Sequence, residues 1–309
     1  MSLRIVFMGT PAFAVATLRC LVEDKWNICA VYTGPDKPKN RGMKLLPTPV
    51  KEFAVTEEIP VYQPVSCRDE ATLDQLRDLA PDVIVVAAYG KLLPEALLNI
   101  PRLATINVHS SILPQYRGAA PINWAVLNGD EETGVTIQYM APQLDAGDIL
   151  LVKTTPIDPQ EDAGELYDRL AVLGGEAASE ALARLEAGTA GRTPQIYGPQ
   201  YQYASMLSRE MSPMDFTRPA RELVNQVRGL IPWPCAATDV IGGAPIKLFS
   251  VRETGEETAA RPGTIAAAGK QGIDIACGDR RLLRILDLQA QGGKRMTAAA
   301  YLLGHPIQC

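Results

Sequence analysis

Short apolar runs rich in valine and isoleucine alternate with amphipathic stretches over the first half of the chain, and this alternation constrains the fold most. The apolar runs cover residues 3–8, 28–33, 82–88 and 104–109. The helical patterns between and after them include 69–79, 94–98 and 119–127. Such alternation is typical of βαβ units. We therefore predict a parallel sheet with helices on both faces, as in Rossmann-like folds.

Two more strand patterns continue the first half, at residues 133–140 and 148–155. A long helical pattern follows over 162–186 and ends at Gly188. The next residues, up to 206, are rich in glycine, proline and polar side chains, which is the composition of a linker. These patterns predict one α/β domain followed by a connecting segment.

The remainder of the chain has a different character. A helical pattern at 216–228 precedes short apolar runs separated by turns that contain glycine. Short strands at this spacing favour a small, OB-like β-barrel. We therefore expect an α/β protein in three parts: a Rossmann-like catalytic domain with a mostly parallel sheet over 1–188, a linker over 189–206, and an OB-like domain over 207–309.

The length of 309 residues agrees with two domains, since single cores rarely grow beyond about 250 residues. No apolar run approaches the roughly 20 residues that a membrane helix needs. The six cysteines are scattered without a C-x-x-C pair, which favours the reducing cytoplasm and argues against a zinc site. Neither a G-x-G-x-x-G nor a P-loop motif occurs, so the sequence gives no sign of a bound dinucleotide or nucleoside triphosphate.

The net charge of −5 is not typical of a nucleic-acid-binding protein, but it is unevenly distributed. Residues 1–206 carry 17 basic and 25 acidic side chains, a net of −8. Residues 207–309 carry 13 basic and 10 acidic side chains, a net of +3. The segment 37–51 holds five basic residues and no acid among prolines and a glycine, which predicts an exposed basic loop. Without a partner, the same loop is an ordinary solvated surface.

Candidate catalytic residues gather at the end of the fourth apolar run. Strand alternation places Asn107 and His109 on one face, at the carboxyl end of a parallel strand, where α/β sheets bind ligands. Two aspartates, Asp145 and Asp148, lie in or beside the loop between the strand patterns 133–140 and 148–155. Either of them is able to reach the same crevice. An amide to stabilise an oxyanion, an imidazole to move protons and a carboxylate suit acyl transfer without a covalent intermediate. The structural alternative is a histidine and an asparagine that only stabilise a turn.

Three segments carry a resemblance to a known family: Asn-Val-His-Ser-Ser-Ile-Leu-Pro at 107–114, Tyr-Arg-Gly-Ala-Ala-Pro-Ile at 116–122, and Leu-Asp-Ala-Gly-Asp at 144–148. They resemble the signature of the 10-formyltetrahydrofolate-dependent formyltransferases. The segment 35–51, the run Ala-Ala-Tyr-Gly at 87–90 and the run Gln-Ala-Gln-Gly-Gly-Lys at 289–294 extend the likeness to the methionyl-tRNA formyltransferase family. That resemblance covers nearly the whole chain.

The resemblance implies a function and a catalytic trio. The formyl group would pass from 10-formyltetrahydrofolate, the donor co-substrate, to the α-amine of methionyl-initiator tRNA, without a metal. Asn107, His109 and Asp145 match the family's catalytic residues, which favours Asp145 over Asp148. The family also implies a cytoplasmic monomer.

The resemblance further assigns binding residues. Those for the folate are Ser111, Ile112, Leu113, Pro114, Tyr89, Gly90, Leu92, Gln143 and Leu144. Those for tRNA are Lys37, Lys39, Arg41, Lys44, Lys294 and Arg295, with Arg280, Arg281 and Arg284 as further candidates for phosphate contacts. His305 matches no motif and is expected to be structural. The alternative functions are a sugar-nucleotide formyltransferase, which would lack the basic loop, and a catalytically inactive tRNA-binding homologue.

Overall fold

The computed structural model describes residues 3–39 and 44–307, and the chain divides into two compact units. The first unit comprises Met1–Pro121, Glu132–Pro156 and Tyr167–Ala204. The second comprises Ile122–Glu131, Ile157–Leu166 and Ser205–Cys309. Two short segments that precede residue 167 therefore belong to the second unit. The domain bounds 1–188, 189–206 and 207–309 stay a prediction.

The first unit is built on a seven-stranded sheet. Its strands, with two small pairs beside the sheet, are β1 (Arg4–Gly9), β2 (Asn27–Tyr32), β3 (Lys37–Lys39), β4 (Lys44–Leu46), β5 (Val61–Tyr62), β6 (Val83–Ala87), β7 (Ala104–His109), β8 (Arg117–Gly118), β9 (Glu132–Tyr139), β10 (Ile149–Pro156) and β11 (Tyr203–Ala204). The sheet order is β10-β9-β7-β6-β1-β2-β5. Along this order, the five strands β7, β6, β1, β2 and β5 pair in parallel. The strand β9 pairs antiparallel with β7 on one side and with β10 on the other. The prediction of a mostly parallel sheet is confirmed.

Burial on both faces explains the composition of the central strands. All five residues of β6 are buried, as are the last five of β1, because helices cover both faces of a parallel sheet. The helices in the described residues before Gly188 are α1 (Ala12–Glu23), α2 (Pro49–Thr56), α3 (Glu70–Asp78), α4 (Glu95–Leu98), α5 (Pro121–Asn128) and α6 (Ala163–Glu186). The chain turns from β1 into α1 through Pro11, which is the N-cap of that helix.

The basic segment 37–51 differs from the exposed loop that its prolines predict. The strands β3 and β4 form an antiparallel hairpin, and helix α2 starts at Pro49. The Oγ1 of Thr48 caps that helix by accepting from the backbone N–H of Lys51 at 3.1 Å. The Nζ of Lys51 forms an ion pair with Asp36 at 2.7 Å, so this lysine is engaged within the fold. Arg41 lies outside the described residues.

The second unit contains a curled antiparallel half-barrel, which confirms the predicted OB-like domain. Its elements are a 3₁₀ turn (Arg209–Met211), α7 (Ala220–Gly229), β12 (Ala237–Thr238), β13 (Ile246–Glu257), β14 (Ile265–Gly269), β15 (Gly272–Ala276), β16 (Arg281–Gln289), β17 (Met296–Thr297) and α8 (Ala298–Gly304). The sheet order is β12-β13-β16-β15-β14, with β17 beside β16. Leu223 and Val227 of α7 share a buried core with Leu248, Ile275 and Leu283 of the sheet.

Candidate active site

The candidate site forms where β7 ends. Asn107 and His109 are two residues apart on this strand, so they lie on the same face of the sheet. The side chain of Asn107 is half-buried and makes no hydrogen bond to any residue that the structure describes. A half-buried amide without a partner is available to a ligand, because burial otherwise requires such a group to be hydrogen-bonded.

The antiparallel strand β9 supplies the neighbours of both residues. Gln138 lies opposite Asn107, and Thr136 lies opposite His109. Thr136 is fully buried, and its hydroxyl joins two backbone groups of the loop after β7. It donates to the Ser111 carbonyl at 2.7 Å and accepts from the Leu113 N–H at 3.0 Å. β9 therefore fixes the loop that carries the predicted folate-binding segment.

Two hydrogen-bonding groups surround the imidazole of His109, which is only 6% exposed. Its Nε2 lies 3.0 Å from the carbonyl oxygen of Tyr116, so this nitrogen carries a proton and donates it. Its Nδ1 lies 3.6 Å from Oδ1 of Asp145. Because the carbonyl fixes a proton on Nε2, Nδ1 is the nitrogen that faces the carboxylate.

Asp145 takes the position beside His109, and Asp148 does not. The Oδ2 of Asp145 accepts from the Gly118 N–H at 3.0 Å, and its Oδ1 accepts from Nε2 of Gln138 at 3.2 Å. Asp148 instead approaches Arg192, with 3.8 Å between Oδ2 and Nη1. Of the two aspartates that sequence spacing leaves open, Asp145 is therefore the one that faces His109.

The backbone around the imidazole is held in unusual conformations. Asp145 and Tyr116 have φ values of 48° and 61°, in the left-handed region that residues with a side chain seldom enter. Such conformations persist only where the surrounding structure enforces them, and they cluster at functional sites. Both of the residues that contact the imidazole nitrogens are therefore in strained positions.

Two glycines of the family signature allow this backbone to close. Gly118 has a φ of 125°, and a Cβ there would collide with the carbonyl oxygen of Ala204. A Cβ on Gly147 would overlap the carbonyl oxygen of Tyr139, where the chain doubles back after β9. A residue with a side chain would displace β11 at the first position and the loop that carries Asp145 at the second.

The segment predicted as a linker folds over the same loop. Thr193 forms an antiparallel bridge with Ile149, through hydrogen bonds of 2.8 and 2.9 Å. The Nε2 of Gln195 donates to the carbonyls of Asp145 at 3.0 Å and Gly147 at 2.7 Å. The hydroxyl of Tyr197 donates to the carbonyl of Ala146 at 2.6 Å. The strand β11 then pairs with β8, so residues 193–204 complete the site's surroundings.

Sequence reasoning missed Gln138 and Gln195. Gln138 lies in a strand pattern whose direction the sequence does not reveal, so its position opposite Asn107 was not evident. Gln195 stands in a segment whose glycines and prolines indicate a linker. The available signal was the set of apolar and aromatic residues in that segment, such as Ile196 and Tyr197, which a pure spacer does not need.

The predicted folate-binding residues divide into buried and accessible groups. Ser111, Leu113 and Tyr89 are buried, and the Ser111 hydroxyl donates to the Gln115 carbonyl at 2.6 Å. Burial raises the pKa of the Tyr89 phenol, which stays protonated. These three residues shape the loops, while the half-buried or exposed side chains and backbone available to a ligand belong to Ile112, Pro114, Gly90, Leu92, Gln143 and Leu144.

The predicted tRNA-binding residues are only partly available. Lys37 and Lys294 are exposed, and Lys39 and Lys44 form the pair of the β3–β4 hairpin that is nearest in sequence to residues 40–43. Arg295 forms an ion pair with Asp287 at 2.9 Å and covers the Phe249 ring. Contact of these side chains with tRNA stays a prediction.

Arg284 is a correction to the phosphate-contact candidates. It is 8% exposed, and its guanidinium forms a two-point pair with Asp274, with N–O distances of 2.6 and 2.7 Å. The neighbouring carboxylate raises the pKa of this guanidinium further. Arg284 lies on the face of β16 opposite that of the core residues Leu283 and Ile285, and it is paired across the strands with Asp274, so it serves the fold. His305 stacks on Tyr301 with 4.2 Å between ring centres, in agreement with a structural role.

Over residues 3–39 and 44–307, no group of three or more His, Cys, Asp or Glu side chains is arranged to hold a metal ion. Among the helices of those residues, none has the length and apolar character required to cross a membrane.

Solved structures share the fold at low sequence identity. HypX from Aquifex aeolicus in complex with tetrahydrofolic acid aligns with a TM-score of 0.62 and 20% identity, over 98% of this chain and 47% of that chain. An N-formyltransferase from Helicobacter canadensis, in complex with folinic acid and dTDP-3-aminofucose, aligns with a TM-score of 0.67 and 18% identity, over 92% and 99% of the two chains. At these identities the likeness establishes the fold alone.

Sequence relatives are much closer. Residues 3–182 match the family model described as formyl transferase, and residues 206–306 match that of the formyl transferase C-terminal domain. The methionyl-tRNA formyltransferase of Trichlorobacter lovleyi is 49% identical over 98% of this chain and 95% of its own length. Those of Geobacter sulfurreducens and Clostridioides difficile are 46% and 44% identical, each over 99% of this chain. The chain therefore belongs to the methionyl-tRNA formyltransferase family.

Proposed function

We propose that this protein transfers the formyl group of 10-formyltetrahydrofolate to the α-amine of methionyl-initiator tRNA, in the cytoplasm, for translation initiation. The observation that carries the proposal is the arrangement of Asn107, His109 and Asp145 at the end of β7, in a chain that matches methionyl-tRNA formyltransferases over nearly its full length. The three side chains supply an amide, an imidazole and a carboxylate, which direct formyl transfer requires.

The residues around the site fit a folate. Leu92 and Leu144 expose 69% and 51% of their side chains, which offers apolar surface to a flat ring. The unpartnered amide of Asn107 provides a polar anchor at the end of β7. When bound, 10-formyltetrahydrofolate supplies the formyl carbon that the amine attacks.

Asn107 and His109 would stabilise the charge that develops on the formyl oxygen. The amide of Asn107 donates an N–H, which is worth most in a site that excludes water. Protonated Nδ1 of His109 is the second donor, because Nε2 is already engaged by the Tyr116 carbonyl. The separation of 3.6 Å between Nδ1 and Asp145 is longer than a hydrogen bond, so the proton is not tightly bound to the carboxylate.

Asp145 would stabilise the imidazolium and assist proton transfer from the attacking amine toward the departing nitrogen. Its second oxygen stays fixed by the Gly118 N–H, which orients the carboxylate. Transfer is direct, since the trio contains no serine or cysteine nucleophile. Most of the rate enhancement then comes from holding two substrates in position and from stabilising the oxyanion.

The test is incubation with 10-formyltetrahydrofolate and methionyl-initiator tRNA, with an amino-sugar nucleotide as competing acceptor. We expect formylmethionyl-tRNA from the wild-type chain, and little formylated sugar. Asn107→Ala and His109→Ala should each lower kcat about 100- to 1000-fold, as the loss of an oxyanion donor does. A His109→Ala variant that formylates at the wild-type rate, or a wild-type chain that prefers the sugar, would contradict the proposal.

A further inference from the structure

The amide of Gln195 faces three oxygen atoms and aligns the groups around Asp145. Its Nε2 lies 3.0 Å from the Asp145 carbonyl, 2.7 Å from the Gly147 carbonyl and 3.3 Å from Oε1 of Gln138. A nitrogen amid three oxygens must be the donor end of the amide, with one of its two protons shared, which fixes the orientation of this amide. Gln195 thus contacts both the backbone of the Asp145 loop and a side chain of β9.

The contact with Gln138 determines which way that second amide points. Since Oε1 of Gln138 faces the donor of Gln195, its Nε2 faces Asp145 and donates to Oδ1 at 3.2 Å. Oδ1 is the same oxygen that faces Nδ1 of His109 at 3.6 Å. A continuous series of contacts therefore leads from Gln195 through Gln138 and Asp145 to the imidazole.

The other end of the Gln195 amide supports this interpretation. Its Oε1 is buried and has no hydrogen-bond partner among the described residues. A buried carbonyl oxygen without a partner costs about 1–3 kcal/mol. The fold tolerates this cost at Gln195, whose amide N–H groups contact the loop that carries Asp145.

We propose that Gln195 is a positioning residue for formyl transfer, which orients the Asp145 carboxylate toward His109 through Gln138. The inference rests on the proposed function, because it takes Asp145 to act on the imidazole. It assigns a role in catalysis to a segment that the sequence presents as a linker.

The decisive variant is Gln195→Met, which keeps the length of the side chain and removes its donors. We expect kcat for formyl transfer to fall about 10- to 100-fold, since small displacements of catalytic groups have effects of this size. The KM values for both substrates should stay within about twofold. Gln195→Glu places only acceptors against the same oxygens and should lower kcat at least as much. The control is Tyr197→Phe, which removes one hydrogen bond to the same loop and should leave kcat within about threefold.

Combining Gln195→Met with Gln138→Met tests the proposed route. If Gln195 acts through Gln138, the double variant loses little more than the worse single variant, because the two residues are coupled. Losses in kcat that multiply, a rise in KM alone, or a Gln195→Met enzyme with the wild-type kcat would overturn the inference.

Imidazole NMR provides a readout independent of activity. The chain has two histidines, so a His109→Ala variant assigns both resonances. Gln195→Met should shift the His109 resonances and leave those of His305 unchanged. Unchanged His109 resonances would overturn the positioning role even if the wild-type chain formylates tRNA. A shifted His109 in a chain without formyltransferase activity would instead reject the proposed function and retain the geometric role.

Discussion

At the scale of single residues, Asp145 combines a charge with a strained backbone. Its φ of 48° is tolerated by asparagine and aspartate better than by other residues with a side chain. Replacing it by asparagine removes the charge and keeps that tolerance, whereas alanine removes both. The two substitutions therefore separate the chemical role of this residue from its conformational role.

We expect Asp145→Asn and Asp145→Ala to lose formyl transfer to a similar extent, since each lacks the carboxylate. The alanine variant should also be less stable than the asparagine variant by about 1 kcal/mol, the cost of the left-handed conformation. Urea denaturation measures the difference. Equal free energies of unfolding for the two variants would show that the loop relaxes without cost.

The Asp274–Arg284 pair gives a second prediction at this scale. Arg284→Met leaves the Asp274 carboxylate buried without its partner and should destabilise the protein by about 3–5 kcal/mol. Asp274→Leu combined with Arg284→Met removes both charges and should recover most of that loss. Arg295→Met, at the more exposed pair with Asp287, is the control and should cost about 1 kcal/mol or less. An Arg284→Met variant that loses no more stability than Arg295→Met would refute this account of the pair.

At the scale of elements, β9 acts as a template for the site. Its residues opposite His109 and Asn107 are Thr136 and Gln138; the first contacts the loop after β7, and the second contacts the loop after β9 itself. An antiparallel neighbour on the last parallel strand thus places two polar side chains beside Asn107 and His109. The sequence predicted the strand itself but not its direction, because alternation is the same in both directions.

Thr136→Val tests this role of β9. Valine has a similar shape but does not hydrogen-bond the Ser111 carbonyl or the Leu113 N–H. We expect the KM for 10-formyltetrahydrofolate to rise roughly tenfold, equivalent to about 1.4 kcal/mol or one net hydrogen bond. Thr133→Val, a buried threonine of the same strand, is the matched control and should leave KM unchanged. An equal rise in both variants would assign the effect to the strand's stability instead.

Much of the element pattern was predictable because valine and isoleucine runs belong to buried parallel strands. The run 104–109 coincides with β7, and the predicted helix 162–186 differs from α6 by one residue. Helix α2 was missed because Pro47 and Pro49 favour a turn, although Thr48 caps the helix and Pro49 begins it.

The site was predictable to the extent that it depends on a local motif. Asn107 and His109 follow from strand alternation, and the family signature selected Asp145. The contacts of Gln138 and Gln195 depend on strand direction and on a distant segment, which local patterns do not encode.

At the scale of the whole molecule, the acidic total conceals a basic remainder. Residues 207–309 carry a net charge of +3, and the hairpin region contributes Lys37, Lys39, Arg41 and Lys44 without an acid between them. Binding of an RNA backbone by such groups releases counterions, so it weakens as salt increases. A neutral or apolar ligand site does not share this dependence.

We therefore expect the KM for methionyl-initiator tRNA to rise with salt, while that for the folate changes little. Replacing Lys39, Arg41 and Lys44 by serine should raise the KM for tRNA and reduce the slope of log KM against log salt by about 0.7–0.9 for each phosphate that is no longer neutralised. Steady-state kinetics at several salt concentrations measures both. Lys25→Asn, an exposed charge after α1, is the control. An unchanged slope in the triple variant would remove these residues from the tRNA interface.

Residues 193–204 return to the site, and this determines where the chain can be joined to a relative in a chimera. A chimera joined after Gly188, where the long helix has ended, would exchange Thr193, Gln195, Tyr197 and β11 for foreign residues while keeping Asn107, His109 and Asp145. A junction after Ala204 would exchange only the C-terminal region. The hydrogen bonds of residues 193–204 to the site would then stay between residues of the same chain. A chimera joined at the second junction should therefore take on the tRNA specificity of the relative and keep its kcat. A chimera joined at the first junction should still bind tRNA but have a lower kcat.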